Sequence, residues 1–161
     1  MEAVYERLSK VGPDHTGFVL YERATLRPIG TAGLIAINAA HRTAELGIGI
    51  GEQDCWGKGY GTEATRLVLD YAFTMLGLHN VMLRAFSYNE RAIRVYQRAG
   101  FQEIGRRREA QRVGSRAFDV IMMDCLASDF DTLVPHRLHA PDAEPSLEPA
   151  ADPDAEADFG A

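Results

Sequence analysis

Apolar and polar residues alternate most regularly over residues 43–51, where Ala44, Leu46, Ile48 and Ile50 are interleaved with Glu45, Gly47, Gly49 and Gly51. A period of two puts the two sets on opposite faces of a strand. One face is apolar enough to pack on a core, while the other carries a carboxylate followed by three positions with no side chain. Glycines weaken a strand, and their repetition calls for a close approach by another backbone or a ligand. Residues 17–22 and 29–38 read as two preceding strands, joined by a turn that holds Arg27, Pro28 and Gly30. After the next loop the period changes: Ala64, Leu67, Val68, Tyr71, Ala72 and Met75 recur at helical spacing, and the stripe stops at Gly77. Residues 80–87 then read as a strand. A second helix follows, with Asn89 as N-cap, Ala92, Val95, Tyr96 and Ala99 on one face, and Gly100 as its stop. Two strands, residues 101–108 and 116–126, close the pattern. The order βββαβαββ predicts an α/β or α+β sheet domain without internal repeats.

The composition changes after Leu126. Pro135, Pro141, Pro145, Pro149 and Pro153 fall among Ala, Asp and Glu, with few large apolar residues to offset the entropy of ordering the chain. Residues 1–127 are therefore expected to form the domain, and residues 128–161 a disordered acidic tail. Nine of the 23 acidic residues, but one of the 17 basic ones, lie from Ser128 onwards, so the net charge of −6 belongs to the tail and the body is slightly basic. That basic excess is too scattered for nucleic acid, which requires a dense cationic face. The 161 residues are 46% hydrophobic and 25% charged, the balance of a single soluble globular domain. The best apolar run, residues 31–40, is short of a membrane span and contains Asn38. Glu2, Glu6 and Arg7 are unlike a signal peptide, so a cytoplasmic protein is expected. Cys55 and Cys125 lack metal-type spacing and read as reduced thiols, and His136 and His139 lack a third ligand, so no metal is expected.

Candidate chemistry sits in the loop Cys55-Trp56-Gly57-Lys58-Gly59-Tyr60-Gly61-Thr62, between the glycine strand and the first helix. Closely spaced glycines let backbone N–H groups turn towards one point, and the helix N-terminus adds partial positive charge, a combination suited to phosphate. The loop is neither GxxxxGK[ST] nor GxGxxG. A flexible strand-to-helix turn is the plain alternative.

Downstream, Asn89-Glu90-Arg91-Ala92-Ile93-Arg94-Val95-Tyr96-Gln97-Arg98-Ala99-Gly100-Phe101 supplies a complete N-x-x-A-x-x-x-Y-x-x-x-G-F. Together with Gly59 and Gly61 at the expected spacing, this resembles the GNAT N-acetyltransferase superfamily over residues 17–126. Trp56 stands where Gln or Arg is usual, and W-G-K-G-Y followed by Thr62-Glu63-Ala64 resembles the branch containing ribosomal-protein alanine acetyltransferases. The family normally opens with a strand and one or two helices ahead of this point, whereas residues 1–16 have room for a short helix over residues 3–10. The N-terminal strand and helix are thus expected to be missing or shortened.

The resemblance implies a mixed, mostly antiparallel GNAT sheet flanked by helices, acetyl-CoA as cosubstrate, and a primary amine as acceptor, either a small molecule or a protein N-terminus. It implies direct transfer in a ternary complex, and a homodimer is compatible with it. The diphosphate would meet the N–H groups of Trp56, Gly57, Lys58, Gly59, Tyr60, Gly61 and Thr62. The pantetheine arm would run along Ile48, Gly49 and Ile50 like an added strand. Asn89 matches the family's cofactor-contacting Asn, although an N-cap explains it equally well. Tyr96 matches the tyrosine that protonates the leaving thiolate, its ordinary pKa of ~10 lying close to that of a thiol; the alternative is a core tyrosine beside Ala92 and Ala99.

Glu45 is the candidate general base, with a cross-strand ion pair to Arg42 or Arg84 as the alternative. Arg91, Arg94 and Arg98 form a basic stripe that could meet the cofactor's 3′-phosphate but reads first as a helix surface with a Glu90–Arg94 pair. Arg106, Arg107 and Arg108 read as solvated strand arginines. Cys55 has no sequence neighbour to activate it for covalent catalysis. A CoA-binding regulatory or interaction module with little catalysis is the rival to an enzyme.

Overall fold

The computed structural model describes residues 12–132; the helix expected over residues 3–10 and the chain beyond Thr132 lie outside them. The described strands are β1 (Thr16–Glu22), β2 (Arg27–Asn38), β3 (Thr43–Ile50), β4 (Asn80–Phe86), β5 (Gln102–Val113) and β6 (Arg116–Leu126). They form one sheet in the order β1-β2-β3-β4-β6-β5. All neighbours are antiparallel except β3 and β4, which run parallel. Helices α1 (Tyr60–Asp70) and α2 (Glu90–Ala99) complete the expected order.

The helices lie over one face of the sheet. There Ala32, Leu34, Ala44, Leu46, Val81, Leu83, Ile121 and Met123 of the strands meet Val68, Leu69 and Ala72 of the first helical segment. Each large apolar side chain buried in this way contributes about 1.5–3 kcal/mol. The apolar set of β3 is thus the core side, and Glu45, Gly47 and Gly49 face the other way. An added Cβ at Gly47, Gly49 or Gly51 would meet nothing within 4 Å, so among the described residues nothing covers these positions on the outer face of the strand.

The close approach occurs instead at Gly30, where an added Cβ would stand 2.1 Å from the Gly49 carbonyl oxygen. Gly30 belongs to β2 rather than to a turn, as do Arg27 and Pro28, and the turn is at residues 23–26. Pro28 has no N–H to give; it pairs with Tyr21 beside the register shift between Leu20 and Tyr21, where a missing ladder bond is tolerated.

Helix α1 widens into a π-type turn over Tyr71–Met75. The Thr74 hydroxyl donates to the Asp70 carbonyl at 2.5 Å, and the Leu76 N–H reaches back to the Tyr71 carbonyl at 3.2 Å. This side chain competes with the backbone for the carbonyl four residues earlier. Helix α2 has the expected ends. Asn89 Oδ1 accepts the Ala92 N–H at 3.1 Å, and Gly100, at φ 114°, lets the Phe101 N–H reach the Tyr96 carbonyl at 3.0 Å. Strand β5 runs past the expected end at Arg108 to Val113 and turns at Gly114, φ 61°.

The first residues assigned by composition to the tail are seated on the body. Phe130 packs against Phe73 with ring centroids 5.4 Å apart and lies under Arg66. Arg66 Nη2 donates to the Asp131 carbonyl at 3.2 Å, and the Thr132 hydroxyl donates to Asp70 at 2.5 Å. Phe130 is the apolar anchor that the proline and acid content obscures.

Candidate active site

Strands β3 and β4 pair only through Thr43–Asn80, Ala44–Val81 and Glu45–Met82. Beyond that point β3 continues along β2 as far as Gly30–Ile50, and β4 continues along β6 as far as Phe86–Val120. The sheet therefore opens into a wedge whose apex is at Glu45 and Met82. The Gly51 N–H donates to the Ile29 carbonyl on the β2 side at 3.0 Å. Since backbone groups alternate along a strand, those of Ile48 and Ile50 face the wedge. Apart from the Ile50 carbonyl, which the Trp56 indole reaches, this edge pairs with no strand among the described residues and can accept an extended polar chain as an extra strand.

A cleft of about 300 Å³ joins this edge to the starts of both helices. Ile48, Gly49, Ile50, Trp56, Gly57, Gly59, Tyr60, Gly61, Thr62, Asn89 and Tyr96 line it. Of the other expected contacts, Lys58 is exposed and does not line the cleft, and neither does Glu45. Gly57 and Gly59 have φ of 77° and 89°, a region that disfavours L side chains, and both have open space where a Cβ would lie. Gly59 is the N-cap of α1. Its carbonyl accepts the Glu63 N–H at 3.0 Å, so the first-turn N–H groups of α1 open beside it.

The loop is held from β1 and β2. Tyr60 Oη donates to Glu22 Oε1 at 3.0 Å; hydrogen bonds from Thr25 and then Tyr60 hold the Glu22 carboxyl below its ordinary range, and the same bond raises the Tyr60 phenol. Arg27 Nη2 donates to Asp54 Oδ2 at 2.6 Å and lies 3.2 Å from Cys55 Sγ, beneath the short turn Gln53–Cys55. Trp56 Nε1 donates to the Ile50 carbonyl at 3.0 Å, tying the loop to the strand edge. Arg91 lies over the indole, with its guanidinium carbon 3.6 Å from the ring centroid, and so ties the loop to α2.

Arg91, Arg94 and Arg98 line the cleft, as do Cys55, Ala92 and Val95. The arginine stripe is therefore a wall of the cleft as well as a helix surface; the expected Glu90–Arg94 pair is also present, at 3.3 Å. Three guanidinium groups beside glycine-rich N–H groups suit a polyanion. The signal lay in spacing, since positions 91, 94 and 98 share a stripe adjoining Tyr96. Tyr96 is partly buried against Phe101, with ring centroids 6.1 Å apart, and burial raises its phenol pKa. It therefore holds its proton at neutral pH.

Glu45 stands at the wedge apex on the face away from the helices. Arg84 Nε donates to Glu45 Oε1 at 2.7 Å, whereas Arg42 Nε is bound to the Gly77 carbonyl at 2.6 Å. Of the two arginines that could pair with it, Arg84 does. Cys125 is buried and its thiol is pushed up to about 11, chiefly by desolvation, which disfavours a thiolate. Among the described residues no group of three metal-ligating side chains occurs, and no helix is long and apolar enough to cross a membrane.

Residues 2–102 match the family model for an acetyltransferase (GNAT) domain. A spermidine N(1)-acetyltransferase of Vibrio cholerae is 37% identical over 109 residues, covering 68% of this chain and 62% of the relative. An uncharacterized N-acetyltransferase, p20, of Bacillus licheniformis is 30% identical over 113 residues, covering 70% of this chain and 63% of the relative. The chain thus spans less than two thirds of the length of these curated relatives. Among solved structures, a spermidine N-acetyltransferase from Vibrio cholerae in complex with CoA and spermine superposes with a TM-score of 0.70 at 33% identity. That match covers 80% of this chain and 74% of the other.

Proposed function

We propose, from the premise that the chain belongs to the GNAT acetyltransferase family, that it transfers an acetyl group from acetyl-CoA to a small primary amine by direct attack. The observation that carries this reading is the coincidence of the sheet wedge with a cleft lined by the glycine loop, three arginines and Tyr96. The residues suit the cosubstrate: Gly57 and Gly59 leave room at the N–H groups that would hold its diphosphate, and the edge of Ile48 and Ile50 would hold its pantetheine amides. Arg91, Arg94 and Arg98 would neutralise further phosphate charge. Acetyl-CoA supplies, when bound, an activated carbonyl and a thiolate leaving group.

Tyr96, on the helix side of the wedge, donates its phenolic proton to the departing sulfur. Glu45, on the opposite face, takes a proton from the amine directly or through water. The amine nitrogen bonds to the acyl carbon as the carbon–sulfur bond breaks. Two groups on opposite sides of the opening thus move one proton each, and the products are an N-acetyl amine and the free thiol.

Incubation with acetyl-CoA and a panel of primary amines should release free thiol at a rate that depends on the amine. Binding of the cosubstrate without amine-dependent thiol release would instead favour a regulatory module. Glu45→Gln should lower kcat/KM most at low pH, where amines are protonated, by about 10²-fold, the lower end for a general base. An unchanged profile would remove Glu45 as the base.

A further inference from the structure

The face of the sheet opposite the helices is where an amine would approach Glu45, and its charge points to a specific acceptor. Arg84 follows Met82 by two residues on this face, immediately past the point where β3 and β4 part. It binds Glu45 through Nε, which leaves the outer edge of the guanidinium, Nη1 and Nη2, without a protein partner among the described residues. More than half of the Arg84 side chain (57%) is exposed, against 20% for Glu45. The glutamate is thus tucked in at the apex and the arginine stands at its open side. A guanidinium held by Nε still offers two parallel N–H bonds, the geometry that matches a carboxylate.

The rest of this face supports the same sign. Along β3, β4 and β6 its other carboxylate is Asp124, which accepts from Asn80 Nδ2 at 2.9 Å. Arg116 stands over Phe118 at 5.0 Å, beside the exposed rings of Phe86 and Tyr88. A polyamine, with an ammonium at every nitrogen, would meet Arg84 at the apex and no unpaired carboxylate among the described residues of these strands. Like charges brought together out of bulk water are unfavourable, and the opposite arrangement is favourable.

We propose that Arg84 selects the acceptor by binding a carboxylate carried on the same molecule as the reactive amine, so that the substrate is a small amino carboxylate and polyamines are disfavoured. This rests on the acetyltransferase reading above. Arg84 then has two neighbours, Glu45 at its Nε and the acceptor carboxylate at its outer nitrogens. The acceptor's amine is thereby brought to the base that must deprotonate it.

The test compares 4-aminobutyrate, butylamine and putrescine, which share a four-carbon chain and differ in the charge at its far end. With the wild-type protein, kcat/KM should fall in that order, 4-aminobutyrate exceeding putrescine by about 10- to 100-fold, as expected for a charge-assisted bidentate contact. Arg84→Gln should remove that preference, and Arg84→Lys should restore part of it. Calorimetry of 4-aminobutyrate with the protein alone gives a second readout, expected to show binding by the wild type and a loss of at least about 10-fold with Arg84→Gln. Putrescine acetylated as well as 4-aminobutyrate, or an unchanged preference in Arg84→Gln, would overturn the proposal. Turnover with the wrong charge order sinks only the role of Arg84; no amine-dependent thiol release from any of the three, with calorimetric binding intact, sinks the acetyltransferase reading and leaves the anion site standing.

Discussion

Gly59→Val is expected to reduce acetyl-CoA affinity by at least ~100-fold, the loss from forfeiting about two charge-assisted hydrogen bonds. The reason is conformational rather than steric. A Cβ at this position would touch nothing within 4 Å, but φ is 89°, a conformation that a β-branched residue cannot hold without strain. Relief of that strain requires the loop to turn, and the N–H groups from Gly57 to Gly61 then no longer converge beside the first turn of α1. Strain of this kind costs of order 1–3 kcal/mol, and α1 keeps its packing through Val68, Leu69 and Ala72. The variant should therefore fold, with a far-ultraviolet spectrum like that of the wild type, while calorimetric titration shows no measurable binding. Affinity retained by a folded variant would mean that the glycine loop does not hold the cosubstrate.

Tyr96→Phe is expected to lower kcat by about 10²- to 10⁴-fold, the range for removing a positioned general acid. The acetyl-CoA dissociation constant should stay nearly unchanged, because the ring and its contact with Phe101 are kept. A pH profile adds a sign to this prediction. Burial raises the phenol above its ordinary ~10, so the protonated acid persists to higher pH than a free tyrosine would allow. The alkaline limb of kcat should accordingly fall above the ordinary tyrosine range in the wild type and be absent in the Phe variant. Unchanged kcat would reduce Tyr96 to a core residue of the apolar stripe.

Helix α2 was the most legible element, since both of its ends are local chemistry: Asn89 accepts an N–H three residues ahead, and Gly100 supplies the left-handed turn. The face of β3 was equally readable from its period. Pro28 and Gly30 read as turn residues by composition, whereas in β2 they answer to a neighbouring bulge and to the Gly49 carbonyl. Past Arg108 the outer half of β5, Glu109-Ala110-Gln111-Arg112-Val113, shows no regular alternation, so it does not read as a strand. The supports of the glycine loop were not legible at all. Glu22 meets Tyr60 from 38 positions away and Arg27 meets Asp54 from 27, and no local pattern specifies such pairs. Glu45 had two possible arginine partners in the sequence; the parallel register beside Met82 brings Arg84 to it and leaves Arg42 at the Gly77 carbonyl.

On the proposed function the cosubstrate lies along the β3 edge, with its diphosphate on the glycine loop and its reactive end at Tyr96. Amide chemical shifts recorded during a titration with acetyl-CoA test this directly. The largest changes should fall on Ile48, Ile50, Gly57, Gly59 and Gly61, with the Trp56 indole N–H, the single indole of the chain, moving alongside them. Saturable shifts centred elsewhere, with these amides unmoved, would contradict it.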